Sequence, residues 1–320
     1  MPKNASVMAR EPAIRIYLWM VLAAHRPIIG LTVHRPRVKS RCLIGRFICP
    51  PIQAVVVSAA PSQLVFNSSE PSSVPVLRVS GLTHVYPGAT EPALQAMDLT
   101  VANGEIFGLL GPNGAGKTTA ISVMSTLLRP LGGQVQICGL DALRHPRRVR
   151  QHIGVVPQRI ALFETLSATE NLTYFGRLYG LRGDALKAAV RSGLQVAGLA
   201  ERGDLALSTF SGGMKRRINL AAGILHHPRL LFLDEPTVGI DAQSRNRILE
   251  NLIQLKEEGV TIIYTTHYME EVQRICSRLA ILDQGRIIAL GDTGQLMRQH
   301  PDCADLGDLY LKLTGRQLRD

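Results

Sequence analysis

The hydrophobic pattern of the chain changes sharply near residue 76. Residues 1–74 lack sustained periodicity, are rich in Arg and Pro, and end in a Ser/Pro cluster. From Val76 onward, short apolar runs of strand length alternate with longer amphipathic stretches. Continuous apolar runs are typical of parallel strands that are covered on both faces. The runs that predict strands are residues 76–82, 93–104, 105–110, 229–236 and 259–267.

Helical periodicity between these runs predicts amphipathic helices. Ser167 and Glu170 have the spacing of a capping box before one of them. The predicted helices are Lys117–Leu128, Asn171–Tyr179, Ala185–Ala197, Gly213–His226 and Ser244–Glu258. Residues 278–292 predict two further short strands around an Asp-Gln-Gly turn. Strands that alternate with helices in this way predict an α/β fold.

Composition narrows the class of protein. The chain has 320 residues, of which 46% are hydrophobic and 19% charged, as in ordinary globular proteins. Its net charge is +11, but nine Lys/Arg and two acidic residues place +7 of this in the first 70 residues. Five scattered cysteines without a Cys-x-x-Cys pair favour a reducing, cytosolic compartment. No segment has the roughly 20 apolar residues of a transmembrane helix, so any transport path must come from another chain.

The segment GPNGAGKTT matches the phosphate-binding pattern G-x-x-x-x-G-K-[ST]. It lies between a predicted strand and a predicted helix, which is the context that the motif requires. Lys117 would reach the β- and γ-phosphates, and the Thr118 hydroxyl would bind Mg²⁺. The predicted nucleotide-binding residues of this loop are Gly111, Pro112, Asn113, Gly114, Ala115, Gly116, Lys117, Thr118 and Thr119.

The apolar run LLFLDEP ends in two carboxylates. Asp234 suits the coordination shell of Mg²⁺, and Glu235 suits a general base for an attacking water. Carboxylates at a strand end are often only solvated, but together with the phosphate loop they indicate nucleotide hydrolysis. An Asn-Lys-x-Asp motif, which reads guanine, does not occur in the chain, and this argues against a GTPase.

A second glycine turn, Ser211-Gly212-Gly213, begins another predicted helix. Its hydroxyl, its backbone N–H groups and the helix dipole also suit an anion. This turn would be redundant unless it faced the nucleotide of another subunit. At these residues the sequence resembles the ATP-binding cassette (ABC) family, whose signature begins Leu-Ser-Gly-Gly and whose two domains pair head to tail.

The resemblance covers residues 76–320 and implies the fold of an ABC-type nucleotide-binding domain. This P-loop NTPase fold has a mixed-sheet core, an antiparallel β subdomain and an inserted helical subdomain. We therefore divide the chain into three parts. These are a basic N-terminal extension (1–74), which we predict to be disordered, an ATPase domain (75–295) with its helical subdomain at about 159–222, and a C-terminal helical tail (296–320).

The resemblance also implies roles for single residues. Tyr86 is similar to the aromatic residue that stacks on adenine, and His267 to the switch histidine at the γ-phosphate. Gln158 is similar to the glutamine that touches Mg²⁺ and the attacking water, and that leads into the segment contacting a membrane partner. Asp241 is similar to the loop that communicates across the dimer, although it could simply cap a helix. The catalytic set is thus Glu235, His267 and Gln158, and the Mg²⁺ set is Thr118, Gln158 and Asp234.

The signature departs from the family pattern at two positions. It reads Phe-Ser-Gly-Gly-Met instead of Leu-Ser-Gly-Gly-Gln. Ser211, Gly212, Gly213 and Met214 are the residues expected to act on the partner's ATP, and the groups expected to meet phosphate are retained. A Met followed by basic residues is familiar in the drug-exporter branch, and the basic run Lys215–Arg217 could be a solvated helix face.

Other features indicate a branch of the family. The interval from Gln158 to Ser211 is too short for the coiled-coil insertion of chromosome-maintenance ATPases. A single phosphate loop argues against tandem translation factors, and the lack of Cys-x-x-Cys pairs argues against excision-repair ATPases. The stretches VVPQRIALFETLSATENLTYFGRLYGL, YTTHYMEEV and LGDLYLKLTGRQLRD are similar to type-2 exporter ATPases of the daunorubicin-resistance and nodulation type.

This branch implies an ATP-hydrolysing subunit of an exporter, at the cytoplasmic side of the cell membrane. It would pair with a second copy or a paralogue over two Mg·ATP and drive a separately encoded integral membrane permease of type 2. No nucleic acid partner is expected. The alternative is a soluble cassette ATPase that acts on nucleic acid or ribosomes, which only the basic extension favours.

Three interpretations of the basic extension stay open. Its Arg-rich, acid-poor composition fits an organelle transit peptide, or binding to nucleic acid or anionic lipid. It also fits a disordered extension translated upstream of a true start near Val74 or Val76. Since no Met occurs between Met20 and Met97, that start would need an alternative start codon.

Overall fold

The computed structural model of the protein describes residues 74–315. The predicted basic extension lies outside the described residues apart from its last position, as do residues 316–320 of the predicted tail. Within this range the strands are β1 (Leu77–His84), β2 (Leu94–Val101), β3 (Ile106–Leu110), β4 (Gly132–Ile137), β5 (Leu140–Asp141), β6 (Ile153–Val156), β7 (Leu230–Asp234), β8 (Thr261–Thr266), β9 (Arg278–Asp283) and β10 (Arg286–Asp292).

Some helices pack on the sheets, and others form a separate group in the part of the chain between β6 and β7. They are α1 (Lys117–Met124), α2 (Pro146–Arg150), α3 (Ala168–Leu178), α4 (Gly183–Val196), α5 (Gly212–Ile224), α6 (Ala242–Glu257), α7 (Met269–Ile275), α8 (Thr293–Gln299) and α9 (Leu306–Thr314). Two single 3₁₀ turns, Ala200–Arg202 and Leu207–Thr209, connect α4 to α5.

The strands form two sheets. The larger sheet has the order β10-β9-β3-β8-β7-β6, in which only β10 runs antiparallel to its neighbour. The smaller sheet, β2-β1-β4-β5, is antiparallel throughout. This combination of a mixed sheet, an antiparallel sheet and helices confirms the predicted α/β fold class.

Alternate residues of the central strands enter two different hydrophobic cores, because successive side chains of a strand point to opposite faces. On β3, Phe107 and Leu109 belong to a core shared with α1 and the antiparallel sheet. Ile106 and Leu110 belong to a core shared with α6, α7 and α9. The larger sheet is therefore buried on both faces, which accounts for the continuous apolar runs in the sequence.

A third core joins α3, α4 and α5, in the region predicted as the helical subdomain. Its fully buried side chains include Leu172 and Phe175 of α3 and Ile218 of α5. The predicted capping box begins α3: Ser167 accepts from the Glu170 N–H, and the Glu170 carboxylate accepts from the Ser167 N–H. The capping box is thus confirmed, but α3 begins directly after Ser167, at Ala168, and not at the predicted Asn171.

The first helix is shorter than the range Lys117–Leu128 that its periodicity predicts. Helix α1 ends at Met124, and Thr126 has a φ of 67°, which a continuing right-handed helix excludes. The buried Arg150 donates hydrogen bonds to the hydroxyl and the carbonyl of Thr126. A tertiary contact therefore ends this helix.

The sequence pattern did not predict five elements, which are short or polar at their edges. These are β4, β5, β6, α2 and α7.

Two buried asparagines hold the chain that follows Gln158. The Asn171 amide accepts from the Phe163 N–H at 2.8 Å and donates to the carbonyls of Phe163 and Ser167 at 3.0 and 2.9 Å. The Asn219 amide accepts from the Ala161 N–H at 3.2 Å. Since both side chains are almost fully buried, their bonds are not shared with bulk water. The entry to the helical region is therefore fixed by side-chain to backbone hydrogen bonds.

We expect Asn171→Ala to lower the free energy of unfolding by about 2–3 kcal/mol, because it leaves buried backbone groups of the 163–167 segment without partners. Urea denaturation followed by circular dichroism measures this change. The matched control is Gln195→Ala on the exposed face of α4, which we expect to change stability by less than about 0.5 kcal/mol. Equal effects of the two variants would contradict the role given to Asn171.

Candidate active site

Four neighbouring strands bring the phosphate loop and the predicted catalytic residues to one edge of the larger sheet. The order β3-β8-β7-β6 is parallel throughout, so the carboxyl ends of these strands lie side by side. The phosphate loop follows β3, His267 follows β8, Glu235 follows β7, and Gln158 lies two residues after β6. In open α/β sheets ligands bind at this edge. Residues spread over more than 150 positions of sequence therefore meet in one place.

The phosphate loop depends on two glycines that allow close backbone packing. A side chain at Gly111 would collide with the Leu282 carbonyl. Gly116 has a φ of 107°, and a Cβ there would lie 2.6 Å from the Ala93 carbonyl. Gly116 is also the N-cap of α1, whose first N–H groups receive no side-chain cap. The helix therefore directs its free N–H groups and the positive end of its dipole toward this loop.

The Lys117 ammonium lies at the centre of the loop. Its Nζ donates to the carbonyls of Gly111 at 2.7 Å and Pro112 at 3.1 Å, and it lies 3.0 Å from Glu235 Oε1. Both ionic side chains are buried, and each residue is 4% exposed. An ion pair this deeply buried is stable only when further hydrogen bonds satisfy its partners. The phosphate loop and the end of β7 are thus joined through one buried charge pair.

Glu235 receives three of the predicted side chains. Its Oε1 lies 3.0 Å from Lys117 Nζ and 3.4 Å from His267 Nδ1, and its Oε2 accepts from Gln158 Nε2 at 2.9 Å. Its backbone has a φ of 45°, which is uncommon for a residue other than glycine. The Glu235 N–H donates to the hydroxyl of Thr265 at 3.1 Å, which helps to hold this conformation. The carboxylate therefore lies where the four strand ends converge.

Asp234 and Thr118 lie together, as a shared Mg²⁺ site requires. Thr118 and Thr265 both form side-chain hydrogen bonds with the Asp234 carboxylate, the second at 2.9 Å. Burial raises the pKa of Asp234 above its ordinary value, and these two hydrogen bonds partly oppose that rise. A hydroxyl and a buried carboxylate, with the Gln158 amide at the same edge, are oxygen ligands of the kind that Mg²⁺ prefers. The residues present therefore fit the ion.

Tyr86 lies beside the phosphate loop. Its hydroxyl is 3.1 Å from Thr119 Oγ1, and its ring packs edge-on against the buried His84 at a centroid distance of 4.9 Å. The residue is 41% exposed, so much of its surface is open to solvent. A fixed aromatic ring next to the phosphate loop has the properties needed to stack on a base.

The signature turn begins α5, as predicted. Ser211 is the N-cap, and its hydroxyl accepts from the Met214 N–H at 3.3 Å. Ser211 and Gly212 are exposed, whereas Gly213 is buried. A Cβ at Gly213 would collide with the Ser244 hydroxyl of α6, so the turn packs closely against that helix. Asp241 is the N-cap of α6 and accepts from the Ser244 N–H at 2.8 Å. The structure thus gives Asp241 the helix-capping role and places it next to the signature.

The basic run Lys215–Arg217 is not a solvated face, which corrects that interpretation. Arg216 donates to the Gln158 carbonyl and, at 3.3 Å, to the Val238 carbonyl. Burial lowers the pKa of Arg216, while the nearby Asp234 and Glu235 oppose this change. Arg217 donates to the Ala197 carbonyl at 2.7 Å, and Lys215 pairs with Glu164. These cations attach the signature helix to the Gln158 segment and to the loop after β7.

Sequence reasoning missed two contributors to the site, Thr265 and Arg216. The only signal for Thr265 is the Thr-Thr pair at the end of a predicted buried strand, where polar residues need a partner. The charge pattern around Arg216 gave the wrong signal, because its partners are backbone carbonyls distant in sequence. Both residues act through contacts that periodicity does not encode.

None of the helices in residues 74–315 is long and apolar enough to cross a membrane. In the same residues, His, Cys, Asp and Glu side chains do not gather in groups of three or more that could hold a metal ion.

Comparison with known proteins identifies the family. The sequence pattern of the "ABC transporter" family matches residues 94–238. The linearmycin resistance ATP-binding protein LnrL of Bacillus subtilis is 49% identical over 223 residues, which are 69% of this chain and 70% of the relative. The daunorubicin/doxorubicin resistance ATP-binding protein DrrA of Streptomyces peucetius is 42% identical over 220 residues, 69% of this chain and 66% of the relative.

A solved structure described as the ATP binding subunit of an ABC transporter agrees with these relatives. It superposes with a TM-score of 0.68 and 30% identity, and the match covers 75% of this chain and 99% of the other. Both the family predicted from the signature turn and the nucleotide-binding fold are confirmed. The chain therefore belongs to the ATP-binding, ATP-hydrolysing subunits of the ABC transporter family.

Proposed function

We propose that this chain is the energising subunit of a type-2 exporter. Two cassettes close over two Mg·ATP at the inner face of the cell membrane and drive a separately encoded integral membrane permease. The observation that carries the catalytic part is the convergence of Lys117, Gln158 and His267 on the Glu235 carboxylate. The relatives LnrL and DrrA, whose names denote antibiotic resistance, support the exporter branch.

ATP binding changes the partner of Lys117. The phosphate loop amides and the N-terminus of α1 receive the phosphates, and the Lys117 ammonium moves from Glu235 to the γ-phosphate. Glu235 then becomes free to accept a proton from the attacking water. Tyr86 supports the adenine ring. Lys117 thus exchanges its buried ion pair with Glu235 for an ion pair with the γ-phosphate.

Gln158 and His267 orient the reacting groups. Both side chains already contact the Glu235 carboxylate, one on each oxygen, so they hold the attacking water and the γ-phosphate next to the base. Thr118, Asp234 and Gln158 would hold Mg²⁺, which neutralises charge on the β- and γ-phosphates when bound. Positioning and electrostatics supply most of the catalysis in such reactions.

The second glycine turn completes the site of the partner. Ser211 and Gly212 are exposed at the start of α5, where free N–H groups and the helix dipole favour a phosphate. Packing of Gly213 against Ser244 fixes this turn next to Asp241, the predicted dimer-communication residue. Each nucleotide therefore lies between the phosphate loop of one chain and the signature of the other.

The basic run of the signature helix does not favour the alternative function, action on nucleic acid or ribosomes. The cations of the basic run in the signature helix bind carbonyl and carboxylate groups of the same chain. Nucleic acid binding would require a basic surface that is free to meet phosphates. We therefore place the chain at the membrane, bound peripherally through its permease.

We expect Glu235→Gln to bind ATP but to hydrolyse it at least about 100-fold more slowly, because the general base is lost. It should also form a stable dimer in the presence of Mg·ATP. Phosphate release and light scattering coupled to size exclusion measure the two effects. The exposed Glu201→Gln is the control and should behave like the unmodified protein. Normal steady-state hydrolysis by Glu235→Gln would remove Glu235 as the base.

A mixing experiment tests whether the sites are shared between chains. Lys117→Ala and Ser211→Arg should each abolish hydrolysis alone, since every site of either homodimer lacks one essential part. A mixed dimer has one site with both defects and one intact site. An equal mixture should therefore recover about a quarter of the normal activity, because half of its dimers are mixed. A mixture as inactive as its components would contradict the shared site.

We also expect the tagged protein to bring an integral membrane partner with it. Purified gently from its native membranes in detergent, it should yield a multi-span protein in stoichiometric amounts by mass spectrometry. An untagged preparation provides the control. Recovery from the soluble fraction with ribosomes or nucleic acid would overturn the exporter function and favour the alternative.

A further inference from the structure

A second buried carboxylate, Glu271, lies one helical turn after His267 and takes no part in the steps above. Glu271 belongs to α7 and is 4% exposed. Three hydroxyl groups donate to the same oxygen, Oε2: those of Tyr264 at 2.7 Å, Thr266 at 2.9 Å and Thr237 at 3.1 Å. All three donors are fully buried. Such convergence of donors suits a carboxylate, because an ionised carboxyl group accepts hydrogen bonds and donates none.

The partners of Glu271 come from three elements around the active site. Thr237 follows Glu235 by two residues, and Tyr264 and Thr266 belong to β8, which ends next to His267. The other oxygen, Oε1, faces Arg245 of α6 at 3.6 Å. Burial raises the pKa of Tyr264 well above its ordinary value, with Glu271 adding to the rise, so this phenol keeps its proton and remains a donor. One side chain thus joins the segment after β7, strand β8 and helix α6.

These contacts reach His267 on both sides. The Thr266 hydroxyl donates to Glu271 and accepts from the Tyr268 N–H at 3.0 Å. The guanidinium of Arg245 lies over the Tyr268 ring at 4.9 Å, and that ring lies 4.2 Å from the His267 ring. Glu271 thus contacts Thr266, the residue before His267, directly. It reaches Tyr268, the residue after His267, through Thr266 and Arg245.

We propose that Glu271 is a positioning residue that keeps the His267 imidazole aligned with Glu235 for ATP hydrolysis. This inference rests on the proposed function, and it adds a residue that acts through the segment around His267. Loss of the charge would leave three buried donors facing a neutral oxygen and Arg245 without its counter-ion. The segment around His267 would then be free to shift while the phosphate loop stays intact.

The test compares two glutamates of the same helix in the full chain. Glu271→Gln keeps the shape but removes the charge, and Glu270→Gln is the matched control because Glu270 is exposed. We expect Glu271→Gln to lower the single-turnover hydrolysis rate by about 10-fold or more, with the Kd for ATP changed by less than about threefold. The ¹⁵N resonances of the His267 ring, assigned with His267→Gln, should shift in Glu271→Gln and stay in place in Glu270→Gln.

Tyr264→Phe provides a second variant if Glu271→Gln does not fold, since it removes a single donor. It should shift the His267 resonances in the same direction by a smaller amount. Unchanged resonances and an unchanged hydrolysis rate in the folded variants would overturn the positioning role. If the unmodified protein does not hydrolyse ATP but the resonances still shift, the proposed function fails and the placement of His267 by Glu271 stands.

Discussion

The buried ion pair between Lys117 and Glu235 is the interaction on which the arrangement of the site depends. It connects the loop after β3 to the end of β7, across the strand β8 that lies between them. Removing one member of a buried pair costs about 3–5 kcal/mol, because the remaining charge loses its partner. The carbonyls of Gly111 and Pro112 and the amide of Gln158 satisfy the remaining polar capacity. A nucleotide thus meets a set of groups that already occupy defined positions.

The conformation of Glu235 shows how the sheet supports this pair. A φ of 45° is unfavourable for any residue with a Cβ, and such backbone strain persists only where the surrounding structure enforces the conformation. Here Thr265 of the neighbouring strand accepts the Glu235 N–H, while its hydroxyl lies 2.9 Å from the Asp234 carboxylate. Asp234, the proposed Mg²⁺ ligand, and Glu235, the proposed base, therefore point in different directions from the end of one strand, β7. Asp234 turns toward Thr118, and Glu235 turns toward Lys117 and His267.

Much of the fold and most of the site could be predicted because their signals are local. The phosphate loop after β3, the carboxylates at the end of β7 and the histidine after β8 each stand at the end of a run whose apolar continuity indicates a buried parallel strand. The capping box of α3 is likewise encoded within four residues. What could not be predicted depends on distant partners. Arg150 ends α1 through Thr126, and Arg216 of a polar-looking run bonds to carbonyls elsewhere in the chain.

The attachments of the signature helix differ in how they respond to ionic strength. Lys215 and Glu164 form an ion pair whose carboxylate is more than half exposed, and dissolved salt screens such pairs. Arg216 donates to the neutral carbonyls of Gln158 and Val238 in a partly buried position near Asp234 and Glu235, where dissolved salt screens its interactions less than those of an exposed pair. High salt therefore loosens the outer attachment and leaves the inner one in place. The Arg216 hydrogen bond therefore keeps the start of the signature helix attached to the backbone of Gln158 when ionic strength rises.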